Sequence, residues 1–374
     1  MELLKSEIQR ELEDLVTRLM REKNAFCDLQ EQLAREQHFD RDLWASLAQL
    51  GLLCVPFSEQ QGGTGGGIAD AAVVVEALGK GLCIEPYISN VVLCGSVLPE
   101  DSSTLATMMS GEKLLAFAHT ERGSGDNPAH VESRAGTSSE GYVLSGVKSH
   151  VSGGHVADNY IVSARTSGDG DEQSGISLFL VDRNAPGVKV RTYITNDNMG
   201  GAEVTLEDAP GQLIGREGEA LPAIGLAYDR ATAAVCAEAV GAMEALVEAT
   251  AEYVRTRRQF GTTIGSFQVV QHMAVDMLVN LEHARSLSLA ASRYADCDDQ
   301  SERGRVISAA KIGVNEAARF VAKTAVQLHG GIGMTEECAV GHYFRRLSAI
   351  RLSFGDTNYH LERMETVERD EIAW

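Results

Sequence analysis

The sequence lacks several features that mark whole classes of protein. It has no apolar run of the roughly 18 residues that a membrane-spanning helix requires. It also has neither an internal repeat nor a low-complexity segment. Basic residues are scarce beside acidic ones, with 33 Lys and Arg against 53 Asp and Glu and a formal net charge of −20. A nucleic acid or an anionic membrane binds to a net basic face, so we expect neither kind of partner.

Cysteine is too sparse and too scattered to build a cross-linked fold. The chain has 7 cysteines, an odd number, and no two of them form a Cys-x-x-Cys pair. This pattern argues against a disulfide framework and against a zinc site, and it is typical of reduced thiols in a cytoplasmic protein. The charged amino terminus lacks the apolar core of a signal peptide. We therefore expect a cytoplasmic protein with no bound metal.

Apolar content is ample, and it is distributed in three successive patterns. With 374 residues, of which 44% are hydrophobic, the chain is long enough for two or three packed subdomains. In residues 1–112 apolar positions recur at three- and four-residue steps, which predicts helices. Residues 113–215 carry short β-prone runs between Gly, Ser, Asp and Asn turns, and residues 216–374 return to long amphipathic helices. The patterns predict an α+β fold with an N-terminal helical domain, a small middle β domain and a C-terminal bundle of long helices.

Glycine-rich stretches in the last third of the chain indicate a ligand site. Residues 327–334 (Gln-Leu-His-Gly-Gly-Ile-Gly-Met) and 353–358 (Ser-Phe-Gly-Asp-Thr-Asn) would let the backbone approach a flat or charged ligand closely. Together with residues 257–268 (Arg-Arg-Gln-Phe-Gly-Thr-Thr-Ile-Gly-Ser-Phe-Gln), they suggest a flavin site assembled from several helices. The glycines of residues 60–67 lack both a preceding strand and a following Gly-Lys-Ser/Thr, so we interpret them as turns.

With two further stretches, these motifs resemble the acyl-CoA dehydrogenase family over nearly the whole chain. The added stretches are residues 56–67 together with 73–79, and residues 120–126 (Thr-Glu-Arg-Gly-Ser-Gly-Asp). The resemblance implies an FAD held between the β domain and the bundle, and an acyl-CoA thioester as substrate. In the family reaction a base removes the proton next to the carbonyl while a hydride passes from the neighbouring carbon to the flavin. It also implies an acyl-CoA dehydrogenase-like fold, with an N-terminal helical domain, a middle β-barrel or sandwich domain and a C-terminal four-helix bundle. The resemblance further implies a tetramer, built as a dimer of dimers, in fatty-acid or lipid metabolism.

The resemblance further implies a set of cofactor contacts. Arg257 would reach the FAD pyrophosphate of a neighbouring subunit through paired guanidinium donors, and Phe260 would pack against the cofactor. The residues alone leave other readings open: a solvated cationic helix end at Arg257, a core aromatic at Phe260, and a glycine-capped helix end at Gly331. The full set is Thr120, Ser152, Arg257, Phe260, Gln268, Gln327, Gly331, Thr357 and Asn358.

Two positions depart from the family around the expected flavin contacts. The position of the family's flavin-stacking tryptophan holds His150, which would leave a smaller and more polar flank beside Ser152. The segment after Thr120 is shortened, and Ser124 is the nearest counterpart of the family's substrate-contacting serine. His329, between two motif positions, has no companion at metal-ligand spacing and is interpreted as a packed or capping histidine.

The largest departure is at the catalytic base. Counting from Arg346, the family's glutamate falls on Gly355, and its alternative position on the first bundle helix falls on Ala231. Neither residue accepts a proton. Asp356 is the candidate substitute, although a shift of one residue turns a side chain by about 100° on a helix, and Asp229 lies near the second position. A glutamate restored at position 355 is expected to give desaturase activity if the pocket is otherwise intact.

We therefore expect an FAD-dependent acyl-CoA dehydrogenase that acts in α,β-desaturation as one subunit of a homo- or hetero-oligomer. A chain that lacks the base resembles the small partner subunits of heteromeric members, such as those acting on pimeloyl-CoA-like or steroid side-chain thioesters. In those enzymes the other subunit carries the glutamate. One alternative is a non-catalytic structural subunit that completes a partner's flavin site with Arg257 and Gln327. Another is a flavin-dependent oxygenase, which needs no such base.

Overall fold

The N-terminal part of the chain is helical, as its periodicity predicts. The computed structural model describes residues 5–33, 38–139 and 141–372, the last six of them by backbone alone. A capping box between Ser6 and Gln9 begins the first helix. A π-helical segment, Ile88–Cys94, follows later in this part. The α-helices here are α1 (Glu7–Lys23), α2 (Phe26–Leu33), α3 (Arg41–Gln49), α4 (Ile68–Lys80) and α5 (Ser103–Met109).

The middle of the chain forms one sheet that closes on itself. Its strands are β1 (Leu115–Ala118), β2 (Arg134–Ser138), β3 (Gly141–Ser152), β4 (Asn159–Arg165), β5 (Ile176–Asp182), β6 (Val188–Ile194) and β7 (Gly200–Ile214). β3 pairs with β2 and β7, β5 pairs with β7 and β4, and β4 returns to β2, while β1 and β6 attach to β4 and β7. Alternate residues such as Leu144, Val162 and Val204 fill the interior.

The last part of the chain is dominated by long helices. Its elements are α6 (Leu221–Thr256), β8 (Arg258–Gln259), β9 (Thr262–Thr263), α7 (Gln268–Tyr294), α8 (Gln300–His329), α9 (Ala339–Ile350) and α10 (Thr357–Ile372). The predicted apolar stripes are buried at Cys236, Val240 and Met243 of α6 and at Met277 and Leu281 of α7. In the described ranges no helix is long and apolar enough to cross a membrane.

Residue contacts divide the chain into two compact units. The helical unit comprises Met1–Gln30, Ile68–Cys83 and Thr232–Trp374. The barrel unit comprises Glu31–Gly67 and Ile84–Ala231. The N-terminal helices are thus shared between the units, and α2 and α6 each contribute residues to both.

In the helical unit, α4 and α6 cross at glycine positions. A Cβ atom at Gly241 would overlap the carbonyl oxygen of Glu76, and one at Gly79 would overlap the carbonyl of Glu238. Charged side chains bracket the crossing, because Lys80 donates to Glu244 at 2.7 Å. The motif at residues 73–79 therefore has a packing role in this unit.

Candidate functional site

A short hairpin follows α6 and presents Arg257 and Phe260. The amide of Arg257 donates to the carbonyl of Tyr253 at 2.8 Å, and its own carbonyl accepts from Ile264 at 2.9 Å, which closes the base of the hairpin. Phe260 and Gly261 form the tip with φ of 54° and 82°, and positive φ at both central residues is typical of a type I′ turn. The Phe260 side chain is 91% exposed, and Arg257 is exposed as well. Both side chains therefore point away from the body of the helical unit.

The end of α8 lies beside the end of α6. The rings of Tyr253 and His329 stack with centroids 4.3 Å apart, and the Tyr253 hydroxyl donates to the His329 carbonyl at 3.3 Å. His329 is buried and its Nδ1 lies 2.9 Å from the Ala325 carbonyl, and burial lowers its pKa. It is a packed histidine, and no cluster of metal-ligating side chains occurs in the described part of the chain. This contact brings the exposed Gln327 and Gly331 to the same end of the unit as Arg257.

The first half of α7, which begins at Gln268, is largely exposed to solvent and is called here the bare half of α7. Large apolar side chains are exposed on several sides of it, and they are Val269, Val275, Leu278 and Val279. The second half is conventional, with Leu281, Ala284 and Ser288 buried. A helix that is apolar all round is normally covered. Gln268 lies at the start of this bare segment and is itself exposed.

The turn between α9 and α10 holds three of the predicted site residues. The carboxylate of Asp356 accepts from the Tyr359 amide at 2.9 Å, so this side chain caps the N-terminus of α10. Thr357 Oγ1 accepts from Asn315 of α8 at 3.4 Å, and Asn358 is exposed. Asn315 and Gln327 are separated by about 18 Å along α8 at 1.5 Å per residue. The structure therefore places Thr357 and Asn358 in a different region from Arg257 and Gln327.

Gly355, in the same turn, is buried and has a backbone conformation that favours glycine. Its φ is 100°, and the preceding Phe354 also has a positive φ of 57°. A Cβ atom added at Gly355 would overlap Cδ1 of Tyr359 and would lie 3.0 Å from Nε2 of His360. Position 355 therefore has no room for a side chain in this backbone conformation.

A buried polar cluster beneath this turn was not predicted from the sequence. Lys311 is fully buried on α8 and donates to the Ile350 carbonyl at 2.8 Å and to Asn315 at 2.9 Å. His360 is also fully buried, between Ser308 Oγ and the Phe354 carbonyl, each 3.1 Å away. These contacts tie both sides of the turn to α8. Lys311 lies in the middle of a helix, and nothing in the local sequence pattern distinguishes it from a surface lysine.

In the barrel unit, Thr120 and Ser152 lie on neighbouring segments. Thr120 follows β1, and its carbonyl accepts from the Ser149 amide of β3 at 2.9 Å. Ser152 ends β3 opposite Gly201, about 10 Å further along the strand. His150, between them, is exposed and lies 2.9 Å from the Tyr193 hydroxyl through Nδ1. Both hydroxyl-bearing residues are half-buried, so each is accessible at the edge of the barrel.

A buried ion pair fixes the segment that carries Thr120. Lys148 Nζ donates to Glu121 at 2.5 Å and to Ser163 at 3.0 Å, and Glu121 also accepts from the Ser133 hydroxyl at 2.6 Å. Burial alone would raise the pKa of Glu121, but Lys148 and the hydrogen bonds outweigh it and hold that pKa below its ordinary value. Burial and Lys148 lower the pKa of His119, which lies 2.8 Å from Ser163, to about 3.

His119 and Glu121 point inward, on either side of Thr120, and so turn Thr120 outward. The sequence motif suggested Thr120 but not its two neighbours. Ser124 donates to the Glu121 carbonyl at 2.9 Å, so in this structure it stabilises the turn after the ion pair.

Comparison with known proteins decides the family. Profiles of the acyl-CoA dehydrogenase N-terminal, middle and C-terminal domains match residues 6–98, 116–209 and 223–367. The acyl-CoA dehydrogenase FadE27 of Mycobacterium tuberculosis is 32% identical over 343 residues, which covers 88% of each chain. The chain belongs to the acyl-CoA dehydrogenase family. It is therefore a member of a family of FAD-dependent oxidoreductases that act on acyl-CoA thioesters, with three domains in the predicted order.

Solved structures of acyl-CoA dehydrogenase relatives agree with this assignment. The ChsE4-ChsE5 complex from Mycobacterium tuberculosis contains a chain that is 27% identical and superposes with a TM-score of 0.86, and the match covers 100% of both chains. The structure of PigA with FAD and proline is 26% identical and superposes with a TM-score of 0.85, covering 98% of each chain. The chain thus has the fold of proteins that include both a two-protein complex and a flavin-bound enzyme.

In an acyl-CoA dehydrogenase, the second position at which a base is expected also lacks a carboxylate here. Ala231 is fully buried on α6, and Thr232 beside it is 2% exposed. Asp229, two residues earlier, is 1% exposed, and a step of two residues turns a helical side chain by about 200°. The two positions that the sequence motifs predict for the base therefore hold a glycine, Gly355, and an alanine, Ala231.

The described residues nevertheless fit an FAD in their chemistry. The guanidinium of Arg257, the amide of Gln327 and the backbone at Gly331 are exposed at one end of the helical unit. A guanidinium pairs well with a pyrophosphate, and glycine allows a close backbone approach. Thr120 and Ser152 offer hydroxyl and backbone groups at the edge of the barrel unit. The residues predicted from the sequence to contact the cofactor are thus accessible.

Proposed function

We propose that this chain is the partner subunit of a heteromeric acyl-CoA dehydrogenase, in which a second, glutamate-bearing chain supplies the base for α,β-desaturation. The observation that carries the proposal is Gly355, which is buried and has no side chain where the family places its carboxylate. The adjacent carboxylate of Asp356 accepts the Tyr359 amide as a helix cap. A cap already aligned with the helix amides is poorly oriented to accept a proton from a substrate.

The exposed apolar surface supports assembly with another chain. The side chains of Phe260, Val269, Val275, Leu278 and Val279 are all exposed, on the hairpin and the bare half of α7. Contiguous apolar surface of this kind marks protein interfaces. A homologous chain in a two-protein complex, ChsE4-ChsE5, supports a subunit of the same fold as the occupant. Arg257 lies on this surface, where it would reach a cofactor shared with that subunit.

When bound, FAD would supply the acceptor for the hydride that leaves the carbon next to the one losing its proton. Arg257, Gln327 and Gly331 of this chain would hold the pyrophosphate end of the cofactor by hydrogen bonds and close backbone approach. Thr120 and Ser152 would contact the flavin ring. The free thiols of all seven cysteines and the formal net charge of −20 fit a cytoplasmic enzyme of lipid metabolism.

The proposal is tested by comparing the chain purified alone with the chain co-expressed with a glutamate-bearing homologue encoded beside it. Light scattering would give the subunit composition, flavin absorbance the cofactor content, and anaerobic flavin bleaching by an acyl-CoA the activity. We expect activity only in the complex. That activity should disappear when the partner's glutamate is changed to glutamine, and it should survive Asp356→Asn in this chain. Anaerobic bleaching by the isolated chain would contradict the proposal.

Arg257 can be tested separately because a matched control lies two residues away. Arg255 is also exposed in the last turn of α6. We expect Arg257→Gln to lower the flavin content of the complex about tenfold or more at limiting FAD, since a lost charged hydrogen bond corresponds to about 1.5–3 kcal/mol. Arg255→Gln should leave the flavin content unchanged. Equal effects of the two substitutions would indicate general electrostatic attraction and would remove Arg257 from the cofactor site.

A further inference from the structure

We infer that Lys148 is a positioning residue for the cofactor: from inside the barrel, and together with a β-bulge that follows it, Lys148 holds the hydroxyl groups of Thr120 and Ser152 on the outer face. The inference deepens the proposed function and rests on it, because there these two residues contact the flavin. It adds the reason why both hydroxyl groups are presented on the same side of the barrel.

The bulge lies in β3, immediately after Lys148. β3 pairs with β7 at Lys148 and next at Val151, but their partners on β7, Val204 and Ala202, are only two residues apart. Two residues of β3 thus lie opposite one residue of β7, which defines a β-bulge. Lys148 and Val151 are both fully buried, although residues three apart on a regular strand point to opposite faces. The bulge therefore changes which side chains of β3 face the interior.

Ser152 points outward because of this change. In an uninterrupted strand, side chains two residues apart share a face, so Lys148, His150 and Ser152 would all point into the barrel. Instead, His150 is exposed and Ser152 is half-buried, while Val151 between them packs in the interior. The bulge thus turns the hydroxyl group of Ser152 to the outer face.

The same bulge holds Thr120. The amide of Ser149, inside the bulge, donates to the Thr120 carbonyl at 2.9 Å. Lys148 donates to the carbonyl of His119 at 3.2 Å and to the carboxylate of Glu121 at 2.5 Å. Both neighbours of Thr120 are buried, and successive side chains of an extended segment alternate in direction. Thr120 is therefore fixed with its side chain outward, beside β3.

Lys148 acts through its neighbours because its ammonium group is fully used and fully buried. Its third hydrogen bond goes to Ser163 Oγ at 3.0 Å, and this oxygen also lies 2.8 Å from Nδ1 of His119. On the other side of the cluster, the Ser133 hydroxyl donates to Glu121 at 2.6 Å. Ser163 and Ser133 thus complete the cluster from two sides, and either can be changed while the ion pair is kept.

The affinity for FAD tests the inference. It would be measured by quenching of FAD fluorescence on the flavin-free complex of this chain with its glutamate-bearing homologue. Ser163→Ala removes one acceptor of Lys148 and should weaken FAD binding about fivefold, which corresponds to one net hydrogen bond. Ser177→Ala is the matched control, because Ser177 is also fully buried and accepts from the Gly218 amide at 2.8 Å on β5. The control should leave FAD affinity unchanged, and equal losses in the two variants would overturn the inference.

A double-mutant cycle separates positioning from general stability. In a background with Thr120→Val and Ser152→Ala, which lacks both hydroxyl groups, Ser163→Ala should no longer change FAD affinity. It should still lower the melting temperature as much as in the wild type. A full fivefold loss of affinity in that background would overturn the inference. If Ser163→Ala does not fold, Ser133→Ala replaces it with the same expectations, since it removes a donor to Glu121.

Failure of the proposed flavin contacts gives a different result. Thr120→Val and Ser152→Ala should each weaken FAD binding by themselves. If neither does, the proposed contacts are wrong and the inference is overturned with them. If both do while Ser163→Ala and Ser133→Ala have no effect, the inference alone is overturned. The proposed partner role is decided separately, by anaerobic bleaching of the isolated chain.

Discussion

Glu85 gives the sharpest test of the electrostatics of the barrel unit. Its side chain is 4% exposed, and Oε1 accepts from Gln32 Nε2 at 2.7 Å and from the Asp40 amide at 3.0 Å. Burial raises the pKa of Glu85 to about 8, against the lowering effect of those two hydrogen bonds. The carboxyl group is therefore protonated in the folded chain at neutral pH and ionised in the unfolded chain. The perturbation is Glu85→Gln, which keeps the shape and the acceptor oxygen but cannot ionise.

The magnitude follows from the difference between the two pKa values. Because the folded pKa lies above the unfolded value, Glu85 does not destabilise the fold below about pH 4.5, where both states are protonated. As the pH rises from about 4.5 to about 8, the unfolded chain loses its proton first and is favoured by about 1.4 kcal/mol per pH unit. At pH 7 the accumulated loss is about 3 kcal/mol. Above about pH 8 it stays constant, since both states are then ionised.

Urea unfolding followed by Trp44 fluorescence measures this term, because Trp44 lies in the same unit as Glu85. The wild type and Glu85→Gln should have equal stability near pH 4, and the variant should gain steadily from about pH 4.5 until about pH 8. Glu59→Gln, at an exposed position of the barrel unit, controls for the removal of one carboxylate. A constant difference between Glu85→Gln and the wild type from pH 5 to pH 8 would refute the reasoning.

Two further substitutions test packing and charge in the other parts of the fold. Lys148→Met leaves Glu121 as a buried carboxylate without its ammonium partner, so it should lower the free energy of unfolding by about 3–5 kcal/mol in urea titrations. Adding Glu121→Gln to Lys148→Met should recover part of this loss. A loss below about 1 kcal/mol for Lys148→Met would show that the ion pair is dispensable. Gly241→Ala introduces a methyl group that overlaps the Glu76 carbonyl and should lower stability by about 1–3 kcal/mol or more, measured as a fall in melting temperature. Gly225→Ala, on the same helix with nothing within 4 Å of the added Cβ, should be neutral or stabilising, so equal effects at the two glycines would contradict the close crossing.

The sequence predicted elements wherever the local pattern was strong. The motif at residues 73–79 lies within α4, in the part of the chain predicted to be helical, and the predicted β region of residues 113–215 holds strands β1 to β7. The sequence pattern did not predict β2 (Arg134–Ser138), because this strand is almost wholly exposed and polar. It did not predict β7 (Gly200–Ile214) either, because Gly, Asp and Pro interrupt the alternation of apolar and polar residues in that strand. Both strands are held by their partners in the sheet, since β2 pairs with β3 and β7 pairs with three strands. Such tertiary pairing overrides weak local propensity.

The candidate site residues also fall into two groups, those that a local motif identifies and those that only tertiary packing reveals. Motif spacing located Arg257 and Gln327, and the structure adds that α6 and α8 end together through the Tyr253–His329 stack. Their cofactor roles stay predictions. Lys311, by contrast, contacts the end of α9, a separation of 39 residues along the chain, and no local pattern reports such a contact. Motif spacing therefore predicted candidate cofactor contacts, while the lack of room for a side chain at position 355 is evident only from the packing around it.

The packing around Gly355 opposes any side chain at this position. A glutamate alone at Gly355 meets the Tyr359 ring, and a large-to-small change alone at Tyr359 opens a cavity against His360, which costs about 3–5 kcal/mol for a buried aromatic and less for a half-buried one. A side chain at position 355 is therefore destabilising for two reasons, its overlap with the ring and the φ of 100°, and a smaller residue at position 359 removes only the first of them.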